Sequence, residues 1–175
     1  MIKNIRPGND VPNDINVVIE ISANNEPVKY EFNKDSNILT VDRFMSTTMQ
    51  YPCNYGFIPN TLSEDSDPVD VLVVSPVDLR PGVMINCRPV GVLKMEDESG
   101  IDSKIIAVPT DKLTRAYTHI KDVVDLPKLL LLQIQHFFEH YKDLEPKKWA
   151  KVKGFEKIEM AKKDIKDSIE RFKLH

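Results

Sequence analysis

Residues 65–70 read Asp65-Ser66-Asp67-Pro68-Val69-Asp70, three carboxylates in six positions. Carboxylates within a few ångströms raise one another's pKa and resist ionising together, so such a run is costly unless cations neutralise it. In an extended segment Asp65 and Asp67 point to one face, and Pro68 bends the path so that Asp70 can rejoin them. Oxygen-only donors with no nearby His or Cys suit Mg2+ or Mn2+ better than zinc or copper. An EF-hand fails on position, because its loop would need Asp or Asn at 69 and Gly at 70, where the chain has Val69 and Asp70. A second acidic group, Glu96-Asp97-Glu98 with Asp102, falls at an expected hairpin and can close round the same ions. Taken alone, the 96–98 run reads as a solvated turn.

Basic and aromatic groups stand where a polyanion would want them. Lys29 and Glu31 alternate with Tyr30 and share one strand face, with Glu20 expected opposite on the partner strand. Arg43 lies in Asp42-Arg43-Phe44, Lys104 follows Asp102 by two, and Tyr141-Lys142 ends a long helical run. Singly, each is more often a surface cation or a core tyrosine than a ligand. Together they make a face able to hold phosphate and metal.

Strands come first in the elements that must position these groups, and helices last. Ile15–Ile21 and Val28–Phe32 read as strands, and the turn-forming Asn24-Asn25-Glu26-Pro27 between them makes a hairpin. A strand from Ile38 to Phe44 follows the turn Asn33-Lys34-Asp35-Ser36. Tyr51 to Pro59 reads as loop or short strand. Val69 to Val74, Val83 to Met95 and Ile101 to Val108 are rich in β-branched residues, which puts the acidic motifs at strand ends. Leu130, Ile134, Phe137, Phe138 and Tyr141 fall at helical spacing from a start near Pro127. Phe155 to Leu174 is expected to be a solvated amphipathic helix. Strand and helix do not alternate, so the class is α+β, mainly β, and a small closed barrel with C-terminal helices is preferred.

Composition excludes several classes. The chain has 175 residues, 41% of them hydrophobic, which suits one domain over 1–175 with a real core. Lys+Arg number 24 against Asp+Glu 27, so no global field argues for nucleic acid or an anionic membrane. The N-terminus lacks the apolar region of a signal peptide, and no window is apolar enough for a membrane span, so a cytoplasmic protein is expected. Cys53 and Cys87 sit in no redox or zinc pattern and are expected to be buried thiols.

The ordered set Glu20, Lys29-Tyr30-Glu31, Val41-Asp42-Arg43-Phe44, Tyr51-Pro52-Cys53-Asn54-Tyr55-Gly56, Asp65 to Val71, Cys87-Arg88-Pro89-Val90-Gly91, Asp97, Asp102-Ser103-Lys104 and His140-Tyr141-Lys142-Asp143-Leu144 resembles family I soluble inorganic pyrophosphatase of the bacterial type. The likeness runs from about Ile15 to Trp149. It implies a five-stranded OB-like closed barrel with appended C-terminal helices, in a cytoplasmic homo-oligomer, usually a hexamer built from two trimers. It further implies hydrolysis of pyrophosphate to two phosphates by Mg-activated water in direct in-line attack, with several Mg2+ ions and Mn2+ as a substitute. Asp65, Asp70, Asp97, Asp102 and Glu31 then correspond to metal ligands, with Glu20 in support and Asp67 as general base. Lys29 and Tyr55 correspond to contacts with the phosphoryl group under attack. Arg43, Tyr141 and Lys142 would hold the leaving phosphate, with Lys104 adding charge nearby. Phe57 stands where relatives often carry Tyr.

Rival readings are weaker. His136-Phe137-Phe138-Glu139-His140 formally fits an inverted zinc-protease pattern, but both phenylalanines belong to the apolar periodicity. Asp65-x-Asp67 also resembles a haloacid-dehalogenase nucleophile motif, whose fold needs alternating strands and helices. An OB-fold module for single-stranded nucleic acid can use Tyr51, Tyr55, Phe57 and lysines, yet the carboxylates would repel a phosphate backbone.

Overall fold

The computed structural model describes residues 4–33 and 36–174. In chain order the elements are β1 (Ile15–Ile21), β2 (Val28–Phe32), β3 (Leu39–Phe44), β4 (Asn54–Phe57), β5 (Asp70–Val73), β6 (Met84–Asp97), β7 (Gly100–Ile101), β8 (Lys104–Pro109), a 3-10 turn (Val123–Asp125), α1 (Lys128–His140), β9 (Ala150–Lys157) and α2 (Ile158–Lys173). The class is mainly β with C-terminal helices. Of the expected turn at 33–36, Ser36 N–H donates to Asn33 Oδ1 (2.9 Å), and Lys34 and Asp35 lie outside the described residues. Met1 to Lys3 of the N-terminus lie outside them as well. Among the described residues no helix is long and apolar enough to cross a membrane.

Strand pairing runs β1–β4–β5–β8–β6, and β6 pairs again with β1, so the succession returns to its start. All pairs are antiparallel except β5–β8, whose parallel register sets Asp70 beside Lys104. Side chains alternate across this sheet and serve two cores. Val71, Val73, Val92 and Ile105 pack in one with Ala161 and Ile165 of α2. Leu72, Leu93 and Ile106 pack in the other with Ile134, Phe137 and Phe138 of α1. Full burial of a side chain the size of Phe137 contributes about 1.5–3 kcal/mol. Cys53 and Cys87 are buried thiols in different cores.

Two expectations need correction. β1 and β2 do not form a hairpin: β1 pairs with β4 and β6, while β2 pairs with β3 in a separate two-stranded ribbon. All seven residues of β1 are buried, as fits a strand paired on both sides within the closed succession rather than one arm of an isolated hairpin. The last helix begins at Ile158 rather than Phe155, because residues 150–157 form β9 on β6. Lysines at 151, 153 and 157 mask the alternation of that strand, whose Val152 and Phe155 pack against the core.

Candidate active site

One cavity of about 610 Å³ opens where β5 and β8 begin, β6 ends, α1 ends and the β2–β3 ribbon folds over. Every site residue expected from the sequence lines it. Asp70 and Lys104 come from the first positions of β5 and β8, Asp97 from the last of β6, and Asp102 from the link between β7 and β8. Tyr141 caps α1, and Lys142 follows it. Lys29, Glu31 and Arg43 come from the ribbon, which docks through a Phe32–Phe57 ring contact (centroids 6.2 Å apart) and through Glu20, whose Oε1 accepts Phe32 N–H at 2.8 Å. Glu20 therefore meets the ribbon across a side-chain bond, not across a strand pair.

The acidic segment is a turn rather than extended chain. Ser66 has φ of 72°, Asp67 N–H donates to Asp65 Oδ1 (3.0 Å), and Ser63 N–H donates to Asp67 O (2.7 Å). Asp65 is half-buried and Asp67 exposed, so the two carboxylates differ in environment. Among the described residues no three His, Cys, Asp or Glu side chains are gathered into a metal cluster. The protein's own ammonium groups stand between the carboxylates instead. Lys104 Nζ bonds Asp102 and reaches Asp70 Oδ2 at 2.6 Å. Lys142 Nζ lies 2.6 Å from Asp97 Oδ2 and 3.2 Å from Glu98 Oε2. Lys29 bonds Glu31 and lies 3.5 Å from Asp42.

Burial sets the direction of most shifts here. It pushes Glu20 up to about 8, against the Phe32 N–H bond that favours the charged form. Burial likewise lifts Asp102, with Lys104 pulling the other way. Asp65 is raised mainly by burial, opposed by the Asp67 N–H. Burial raises the Tyr55 and Tyr141 hydroxyls, so both remain donors at neutral pH. For Asp97, burial is outweighed by its bonds from Lys142 and Ser99 N–H, and its carboxyl is held low. Burial works against the charge of Lys104, but Asp70 and Asp102 carry its pKa well above the ordinary value.

The lining also includes residues that the sequence did not mark as site members, Tyr51, Asn60, Ser99, Lys148 and Phe172; Glu98 joins them from the second acidic group. Within the run 96–98, strand alternation separates Glu96, which pairs with Lys153 of β9 at 2.5 Å, from Asp97, which faces the cavity, and Glu98 reaches the same cavity from the turn after β6 has ended. His136 and His140 lie exposed on α1 away from the lining, with His140 Nδ1 2.8 Å from Asp143. All acidic donors on the lining are carboxylate oxygens, and no His or Cys joins them, a set that fits hard cations.

A family model described as inorganic pyrophosphatase matches residues 17–173. The chain belongs to the inorganic pyrophosphatase family. Membership makes it an enzyme, a hydrolase acting on pyrophosphate. It is 63% identical over 170 residues to the inorganic pyrophosphatase of Escherichia coli (strain K12), covering 97% of each chain. Among solved structures, the inorganic pyrophosphatase of Coxiella burnetii superposes with a TM-score of 0.93 at 56% identity, over 96% of this chain and 99% of that one. The inorganic pyrophosphatase of Helicobacter pylori superposes with a TM-score of 0.93 at 49% identity, over 97% and 99%. The mainly-β arrangement with its C-terminal helices is thus that of the inorganic pyrophosphatase family.

Proposed function

We propose that the cavity binds pyrophosphate with Mg2+ and hydrolyses it by direct in-line attack of water. The observation that carries this reading is that carboxylates and ammonium groups interleave around one cavity that also presents Arg43. The buried Arg43 Nε has no hydrogen-bond partner among the described residues, a donor left over for an incoming anion. Phosphoryl transfer asks mainly for positioning and charge stabilisation, with little covalent help from the protein.

Asp65, Asp70, Asp97, Asp102 and Glu31, with Glu20 in support, would hold the ions. When bound, Mg2+ supplies charge screening of the substrate and acidification of the attacking water, and Mn2+ is a substitute. Asp67, exposed on the acidic turn, takes the proton from that water. Lys29 and the Tyr55 hydroxyl orient the phosphoryl group under attack. Arg43 grips the leaving phosphate with its planar fork, Tyr141 and Lys142 add donors, and Lys104 contributes charge.

In the same reading, residues 1–175 form one domain and the returning succession of strand pairs is an OB-like closed barrel. The protein works in the cytoplasm as a homo-oligomer, a hexamer of two trimers. Exposed apolar side chains such as Phe44 and Leu129 support association. The carboxylates round the cavity disfavour a single-strand nucleic-acid module. The test is phosphate release from pyrophosphate while Mg2+ is titrated from zero. Release that rises with Mg2+ is expected, and none at any Mg2+ level from folded protein overturns the reading.

A further inference from the structure

The turn that carries Asp65 and Asp67 is held from outside by the end of α2. Leu62, at its entrance, donates its N–H to Ser168 O (3.0 Å) and accepts a hydrogen bond from Arg171 Nη1 on its carbonyl. Both sides of one residue are thus tied to the last turns of a single helix. The base of the turn is closed separately. Thr61 Oγ1 accepts Val69 N–H (3.0 Å) and donates to Ile58 O (2.6 Å). Phe172, next to Arg171, lines the cavity itself.

The helix is a rigid place from which to hold this turn. Ala161 and Ile165 are fully buried against the sheet, and Asp164 meets Lys94 of β6 at 2.6 Å. Ser168 is also fully buried, with its Oγ donating to Ile165 O at 2.7 Å. Packing therefore runs from the core through α2 to Leu62, three residues before Asp65. Glu64, Ser66 and Asp67 of the turn are exposed, so burial does little to fix its angle, and the tether to α2 supplements its internal hydrogen bonds.

We propose that Arg171 is a positioning residue for the reaction: its bond to the Leu62 carbonyl sets the angle at which Asp65 and Asp67 meet the cavity. The inference rests on the assignment of those two carboxylates to metal binding and proton transfer. It gives the charged, lysine-rich C-terminal helix a part in the chemistry beyond covering one core.

Full-length Arg171→Gln and Arg171→Lys would be compared with wild type by amide hydrogen exchange, Mg2+-dependent melting and steady-state phosphate release. A lost charge-assisted bond predicts about tenfold faster exchange at residues 62–67 in Arg171→Gln, with β5 and β6 amides unchanged. The same variant should need more Mg2+ for half-maximal stabilisation and lose kcat severalfold with little change in KM. Arg171→Lys, which still offers a charged donor, should recover most of both. Unchanged exchange at 62–67, or a uniform rise across the fold with wild-type kcat and Mg2+ dependence, overturns the role of Arg171. Wild-type phosphate release separates the two failures: its absence removes the site reading, whereas an active wild type beside an indifferent Arg171→Gln removes this inference alone.

Discussion

The ammonium of Lys104 stands 2.6 Å from Asp70 Oδ2 and also bonds Asp102, so one buried cation bridges two carboxylates assigned to metal. Parallel pairing of β5 with β8 makes this contact, because it aligns residue 70 with residue 104. Removing the ammonium leaves two largely buried carboxylates without a counter-charge, a loss of about 3 kcal/mol for a broken buried pair. Lys104→Met should therefore melt earlier than wild type in EDTA. Added Mg2+ should raise its melting temperature by more than it raises that of wild type. Equal increments in the two proteins would contradict a shared place for Lys104 and the ion.

Asp67→Asn removes the proposed proton acceptor and leaves the proposed metal ligands in place. Turnover should fall by about 10²–10⁴-fold, the usual contribution of a positioned general base. Calorimetric Mg2+ affinity should change little. Full activity at every pH tested would show that another group takes the proton.

Glu20 links stability to pH. Burial raises its folded pKa from 4.5 to about 8, so the folded protein holds this proton more tightly than the unfolded chain does. The resulting stabilisation is fully present below the unfolded value of 4.5 and is lost as pH rises through about 8. In EDTA, Glu20→Gln keeps a neutral acceptor for Phe32 N–H and should gain on wild type across that window. The gain is bounded by about 1.4 kcal/mol per pH unit. Denaturant melts at several pH values would measure it, and a constant difference between the two proteins would refute the assignment.

Gly56 of β4 sits opposite Ile19 in the pairing with β1. A Cβ built there falls 1.9 Å from Val18 O, a backbone atom that cannot swing aside. Gly56→Ala should destabilise by at least the roughly 1–3 kcal/mol of core overpacking. Because Tyr55 is the adjacent residue, activity should fall as well. A urea midpoint equal to that of wild type would show that the two strands can separate without cost.

The chemistry was legible in the sequence because it depends on residue type and order. Carboxylates at 65, 67, 70, 97 and 102, and cations at 29, 43, 104 and 142, follow one another in a pattern that the whole inorganic pyrophosphatase family match then covers. The strands were legible too wherever β-branched and apolar residues run together, as in Val69 to Val74, whose apolar residues are buried on both faces. What failed was pairing. The turn at 24–27 suggested a hairpin, but local turn chemistry cannot outweigh the burial that β1 gains between β4 and β6. β9 is hidden in the sequence because its solvent face is lysine, and α2 reads as solvated because its contact with Leu62 lies more than a hundred residues away in sequence.

The sequence by itself therefore determined which groups are of a type suited to a polyanion and to hard cations, since charge, donor type and spacing are local properties. Only the tertiary structure decided which of them neighbour one another. Lys104 meets Asp70 and Asp102, Lys142 meets Asp97 and Glu98, and the end of α2 holds the acidic turn. Those neighbours are chosen by strand register and core packing, which minimise buried charge and exposed apolar surface over the whole chain at once.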